Sequence, residues 1–279
     1  MPSCIMVRFV LKRPGKHMKF QKNLRPLAAN RFMLASPAER RPPFPCGCRS
    51  PYDTMEKLER LKNAGKDHMK LQDIYFINGN AYAGKSTMVK LLAERYDGIA
   101  CQENYHDVLV PTLDKRAFPY LTYTRDLQDW RAFIRQTPEE YEAWVQGVTR
   151  ECELLELRIL QDLDAKGKRV FVDTNISIPT LKEIADKNHV LMMLANPLIS
   201  VNRFFERPDR EKQFLYQLLL TEENPEKAME NFRQCLARIN SRQSYDAFLH
   251  SGFHVLLRDE ERSVEETAAL AAKAFGLCE

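Results

Sequence analysis

Eight residues constrain this chain more than any others: Gly79-Asn80-Ala81-Tyr82-Ala83-Gly84-Lys85-Ser86. They fit the pattern G-x-x-x-x-G-K-[ST], which carries meaning only between a strand and a helix. Both flanks meet that condition. Residues 73–78, Asp-Ile-Tyr-Phe-Ile-Asn, form a short β-branched and aromatic run that reads as a buried strand. Over residues 85–96 the apolar side chains of Met88, Leu91, Leu92 and Tyr96 fall at helical spacing. A glycine-rich turn between such elements is suited to bind anions. Gly79 and Gly84 permit turns that a Cβ would block, and successive backbone N–H groups line a concavity. The positive end of the next helix adds to that field.

The pattern assigns roles to residues. The loop from Gly79 to Ser86, with Thr87 beside it, is expected to cradle a nucleotide's phosphates. Lys85 is expected to reach the β- and γ-phosphates, and the Ser86 hydroxyl to bind Mg²⁺. ATP and Mg²⁺ are therefore the expected ligands.

Strand and helix signals alternate along the rest of the chain. Strands are expected at 98–102, 169–173, 189–195 and 253–257. Helices are expected at 55–66, 126–136, 137–165, 179–187, 197–207, 210–220, 225–251 and 263–275. Thr137-Pro138-Glu139-Glu140 and the Ser263/Glu266 pair are helix-start signals. The Pro- and Tyr-rich residues 111–124 read as a loop. Alternating βα units imply a parallel sheet covered by helices on both faces, a three-layer α/β/α arrangement with five strands. The span 112–165 reads as a helical insertion between the second and third strands. Ligands of such sheets bind beyond the C-terminal strand ends. That edge gathers the glycine loop, residues 103–107, residues 173–175 and Asn196. Asp173, ending the third strand, is the candidate second magnesium ligand or acceptor contact.

The two parts of the chain differ in charge. Residues 1–54 hold 11 of the 42 Lys+Arg and, as acids, only Glu39 and Asp53. The segment is therefore +9, and residues 55–279 are −5. It also holds eight of the 15 prolines and shows no apolar periodicity, so it reads as an unstructured basic extension. A nucleic-acid or membrane-surface arm and a transit segment are the alternatives for it. The ordered domain is expected over 55–279, starting at Met55 or Met69. Seven scattered cysteines imply no disulfide framework, so a reduced, cytoplasmic protein is expected. No apolar run reaches transmembrane length, and no membrane partner is expected. The acidic balance of 55–279 argues against a broad nucleic-acid face. A monomer or homodimer is equally open.

The chain lacks the Asn-Lys-x-Asp motif of switch GTPases, Glu after the strand-ending Asp173, and a transporter-type Ser-Gly-Gly signature. What remains resembles the nucleoside, nucleotide and shikimate kinase group of P-loop proteins, over roughly residues 70–279. The resemblance implies an ATP-dependent phosphotransferase with a small-molecule acceptor. It also implies that an acid after the second strand contacts the acceptor hydroxyl, with Glu103 first and Asp107 second. His106 between them reads as a polar loop residue. Arg203-Phe204-Phe205-Glu206-Arg207-Pro208-Asp209-Arg210-Glu211 resembles the Arg-x-x-x-Arg lid of these kinases. There Arg203, Arg207 and Arg210 would stabilise the transferring phosphoryl group, with Arg203 and Arg207 on one helix face. No Asp-Arg-Ser or Glu-Arg-Ser dyad follows the third strand, so the resemblance does not specify a nucleoside acceptor. Tyr120, Tyr123, Arg125, Trp130, Phe133 and Trp144 could sandwich a planar acceptor or simply pack the insertion. The competing reading is a P-loop ATPase or regulatory nucleotide-binding protein associated with nucleic acid.

Overall fold

The computed structural model describes residues 70–277, apart from Ala165, Arg207 and the side chain of Ser200. The expected basic extension and the helix at 55–66 lie outside the described residues.

Five strands form one all-parallel sheet in the order β2-β3-β1-β4-β5. They are β1 (Ile74–Gly79), β2 (Ile99–Cys101), β3 (Val170–Asp173), β4 (Val190–Leu194) and β5 (His254–Leu257). Every residue of β1, β3 and β4 is buried, as expected for parallel strands covered on both faces. Each falls within a residue or two of its expected bounds.

Period-two alternation sends β1 side chains to two different cores. Ile74 and Phe76 join one core with Val170, Val172, Val190 and Met192. Tyr75 and Ile77 join the other, against α1 (Lys85–Arg95) and the last helix, Val264–Ala274. Helices thus pack on both faces of the sheet, an arrangement compatible with three α/β/α layers.

Between β2 and β3 lie α2 (Pro119–Asp126), the single turn α3 (Arg131–Ile134) and the 27-residue α4 (Pro138–Asp164). At 1.5 Å per residue α4 is about 40 Å long, enough to serve two cores. Its first two-thirds, including Trp144, Val148 and Leu155, pack a cluster built mostly by helices. Its last turns, through Ile159, Leu160 and Leu163, pack the sheet. The expected start signal forms: Thr137 Oγ1 accepts from Glu140 N at 3.2 Å, and Glu140 accepts from Thr137 N at 2.8 Å.

The remaining helices are α5 (Ile178–Ile184), α6 (Pro197–Asn202), α7 (Arg210–Leu219), α8 (Pro225–Ile239), α9 (Arg242–Leu249) and α10 (Val264–Ala274). Among the described residues no helix is long and apolar enough to cross a membrane.

Several expected boundaries are corrected. Residues 119–124, expected as loop, are helix, within α2 (Pro119–Asp126). Pro119 sits in the first turn, and the Glu151 carboxylate of α4 accepts from the N–H groups of Tyr120 and Leu121 at 3.2 and 2.7 Å. This cap comes from 30 residues away, beyond any local signal. The helix expected at 126–136 shrinks to α3. The helix expected at 225–251 divides where Ser241 caps a new start, its side chain accepting from Ser244 N. The helix expected at 197–207 ends at Asn202, and Phe204–Glu206 follow as one 3-10 turn. Phe204 and Phe205 turn toward the helical cluster, each about 5.9 Å from the Phe232 ring. Arg203 and the turn after it therefore do not continue the helix; the helix face expected to be shared with Arg207 involves a residue outside the described ones.

Candidate active site

The glycine loop leaves β1 in the middle of the sheet. Its first residue is held in backbone geometry suited to glycine: Gly79 has φ +128°, and an added Cβ would lie 1.9 Å from Met193 O. The loop is clamped from behind. Asn78 Nδ2 donates to Ile176 O at 2.7 Å. Asn80 exchanges two hydrogen bonds with Ala195, Nδ2 to O at 2.6 Å and Ala195 N to Oδ1 at 2.7 Å. The Asn80 side chain is thus a tie to the end of β4, while Ala81 and Ala83 are buried beneath the turn. Tyr82, at φ 65°, is the loop's non-glycine residue in the left-handed region.

Gly84, also left-handed at φ 89°, is the N-cap of α1. No side chain caps this helix start, and no acid lies in its first turn. Its leading N–H groups and its dipole therefore face an open position suited to an anion. Lys85 and Ser86 begin the helix and turn toward β3.

The register explains what they meet. Ile77 pairs with Asp173 across β1 and β3, so the carboxylate ends its strand level with the base of the loop. Ser86 Oγ donates to Asp173 Oδ2 at 2.8 Å. Lys85 Nζ lies 3.7 Å from Asp173 Oδ1 and donates to Asn80 O at 3.1 Å. Burial pushes the Asp173 carboxyl above its ordinary value, and Lys85 and Ser86 pull it partly back. Glycine loop, lysine, hydroxyl and strand-end carboxylate, separated by up to 94 positions in sequence, are one constellation.

Among the described residues no cluster of three or more His, Cys, Asp or Glu side chains is arranged to hold a metal ion. Mg²⁺ keeps several waters and binds through one or two protein oxygens plus phosphates. The Ser86 hydroxyl and the Asp173 carboxylate are hard oxygen donors that fit it.

A cleft of about 310 Å³ opens beside the loop, lined by Gly84, Thr87 and Met193 and by the segment after β5, including Leu257, Arg258 and Arg262. The Arg258 guanidinium donates to Tyr82 O. Arg262 Nη1 donates to Leu257 O at 3.2 Å. The sequence reading missed this wall; two arginines just after an apolar strand were its only sign.

The expected lid begins at the loop. The Tyr82 hydroxyl donates to Arg203 O at 2.8 Å. The Arg203 side chain is exposed, with Nε 3.6 Å from Glu206. Arg210 opens α7 and is exposed. Arg207 lies outside the described residues.

Glu103 precedes, and Asp107 lies within, a 3-10 turn, Tyr105–Val108, beyond the end of β2. Both are half-buried, and the strand order puts them on the far side of β3 from the glycine loop. His106 is not the polar loop residue expected. It is 2 % exposed, with Nε2 3.1 Å from Cys152 Sγ and Nδ1 3.4 Å from Glu156 Oε1, both on α4. Burial opposes charge on His106, but Cys152 and Glu156 outweigh it and hold the imidazole well above its ordinary pKa. Burial also pushes the Cys152 thiol up. Glu156 carried no sequence signal at all, being one acid among many on a long helix.

The aromatic group in the insertion is divided: Phe133 and Trp144 are core, Tyr123 and Trp130 are half-buried against it, and Tyr120 is exposed. Phe133 and Trp144 are 1 % and 5 % exposed, and Arg125 ties Val110 O and Leu113 O at 3.0 and 2.8 Å. No protein-family model matches this chain, and no curated protein matches it in sequence.

Proposed function

We propose that this protein is an ATP-dependent phosphotransferase of the P-loop kinase type, acting on a small-molecule acceptor. The observation that carries the reading is the Ser86–Asp173 hydrogen bond, with Lys85 beside it, at the mouth of a glycine loop that runs into an uncapped helix. A buried carboxylate bonded to a loop hydroxyl has an evident use where a cation and phosphates converge.

In this reading the N–H groups of residues 81–86 hold the β- and γ-phosphates of ATP. Lys85 swings from Asp173 and Asn80 O to the β- and γ-phosphates, where its charge offsets the charge that builds on the departing ADP. Ser86 and Asp173 would hold Mg²⁺, which would supply neutralisation of phosphate charge. The cleft toward Arg258 takes the nucleoside part. The acceptor's oxygen attacks the γ-phosphorus, the bond to the β-phosphate oxygen breaks, and ADP leaves. Glu103, or Asp107 after it, accepts the proton from the acceptor hydroxyl. Arg203, Arg207 and Arg210 close over the transferring group and exclude water.

A screen of hydroxyl- and phosphate-bearing small molecules for ADP release with Mg-ATP tests the reading. ADP release that requires an acceptor and disappears in Lys85→Met supports it. Turnover that needs no acceptor, or undiminished turnover in Lys85→Met, refutes it.

A further inference from the structure

Glu156 sits on α4 where the fold alone calls for an apolar residue: Leu155, Ile159, Leu160 and Leu163 around it are all core. Its side chain is 0 % exposed. Burying a carboxyl group is costly unless its oxygens are held, and here two separate chain segments approach it, though only Oε2 is hydrogen-bonded. Oε2 accepts from Thr174 Oγ1 at 2.5 Å and from Asn175 N at 3.2 Å. Oε1 lies 3.4 Å from His106 Nδ1. Thr174 and Asn175 directly follow Asp173, and His106 lies between Glu103 and Asp107. One carboxyl group therefore joins the two segments that carry the candidate magnesium ligand and the candidate acceptor base.

The strand ladder does not fix this region by itself. β3 ends at Asp173, and the last ladder-like bond beyond it runs from Thr174 N to Ile77 O at 3.1 Å. After that point the chain depends on side chains for its course. Thr174 Oγ1 also accepts from Ile176 N at 3.1 Å, so the hydroxyl joins Glu156 to the turn itself. The arrangement is not saturated either: the Tyr105 hydroxyl, His106 Nδ1 and Glu156 Oε1 are buried without a hydrogen bond of acceptable geometry. A site built only for stability would gain by replacing these groups with apolar ones.

We propose that Glu156 is a positioning residue: by gripping Thr174 and Asn175 it sets where the Asp173 carboxylate points relative to Ser86. This role rests on the phosphotransferase reading above. Groups that hold a metal's ligands in place commonly matter ten- to a hundredfold for metal affinity.

The test measures binding of a non-hydrolysable ATP analogue to the full chain by calorimetry, with and without Mg²⁺, alongside thermal unfolding. Thr174→Val, which removes the hydroxyl, and Glu156→Leu, which removes the acceptor oxygens, are compared with Thr174→Ser, which keeps the hydroxyl. In the wild type Mg²⁺ should tighten binding. In Thr174→Val and Glu156→Leu that gain should shrink ten- to a hundredfold, with magnesium-free affinity nearly unchanged, and Thr174→Ser should restore it. A folded Thr174→Val with the wild-type gain, or a Thr174→Ser as impaired as Thr174→Val, would overturn the inference and leave the proposed function standing. If Glu156→Leu does not fold, the Thr174 pair decides. If Thr174→Val does not fold either, the contact serves the fold alone and the inference is wrong. A wild type that binds no analogue even with Mg²⁺ removes the proposed function, and the inference with it.

Discussion

Lys85→Met should do two things, and the second is a consequence of packing. The first is loss of phosphoryl transfer. The second is a loss of stability whose size depends on pH. The side chains of Lys85 and Asp173 are only 11 % and 4 % exposed, with Nζ 3.7 Å from Oδ1. At an effective dielectric of about 20, that separation corresponds to an attraction of about 4.5 kcal/mol before desolvation is counted. Methionine keeps the apolar stem and removes the charge. The deficit expected at pH 8 is about 3 kcal/mol, since breaking a buried pair leaves a carboxylate uncompensated and Ser86 offsets only part. Asp173 can escape by taking a proton. Its folded pKa is already raised by burial, and without Lys85 it rises further. A group whose folded pKa exceeds its unfolded value favours folding at low pH and loses that contribution as pH rises through the folded value. The deficit should therefore be largest at pH 8 and shrink toward pH 5. Urea unfolding of wild type, Lys85→Met and Lys85→Met/Asp173→Asn at both pH values measures this. The double variant should recover most of the lost stability, as interacting partners do in a double-mutant cycle. A Lys85→Met protein as stable as wild type at pH 8, or a deficit that neither pH nor Asp173→Asn relieves, would refute the reasoning.

Gly79→Ala should lower stability by about 3 kcal/mol or more, because φ +128° is strained for alanine and the new Cβ would meet the Met193 backbone at 1.9 Å. Gly167→Ala, at φ +61° with nothing within 4 Å, should lower it by only about 1 kcal/mol; urea midpoints of the two variants compare them. Because His106 is held above its ordinary pKa, its contribution is complete below pH ~6.5 and declines as pH rises from there. Stability measured between pH 6 and pH 8 should fall less steeply in His106→Gln than in wild type. Arg203→Ala and Arg210→Ala should each lower kcat about a hundredfold with KM for ATP nearly unchanged, read by steady-state ADP release once an acceptor is found.

Where the sequence was readable, the determinants were local. Residues 74–77 and 190–194 are short, continuous apolar runs of the kind a strand covered on both faces uses. The Gly79 to Ser86 pattern sits between its strand and its helix because glycine, backbone N–H groups and an uncapped helix start are all properties of contiguous chain. The Thr137/Glu140 and Ser263/Glu266 caps close within three residues. What the sequence could not supply were contacts between distant segments. Pro119–Asp126 is a helix because Glu151 holds its first turn, and the helix after Pro197 stops where Phe204 and Phe205 find a core built largely by α4, α7 and α8. Asp173 meets Ser86 and Lys85 only because β3 pairs with β1 in one register; a shift of one residue would turn the carboxylate to the other face. His106 and Glu156 carry no periodic or motif signal, since a buried polar pair is defined by what surrounds it and the surroundings come from β2, β3 and α4 together. Local chemistry thus determined which elements form and where a phosphate could sit, while the packing of α4 across the sheet decided which acids face the site and which are sealed beneath it.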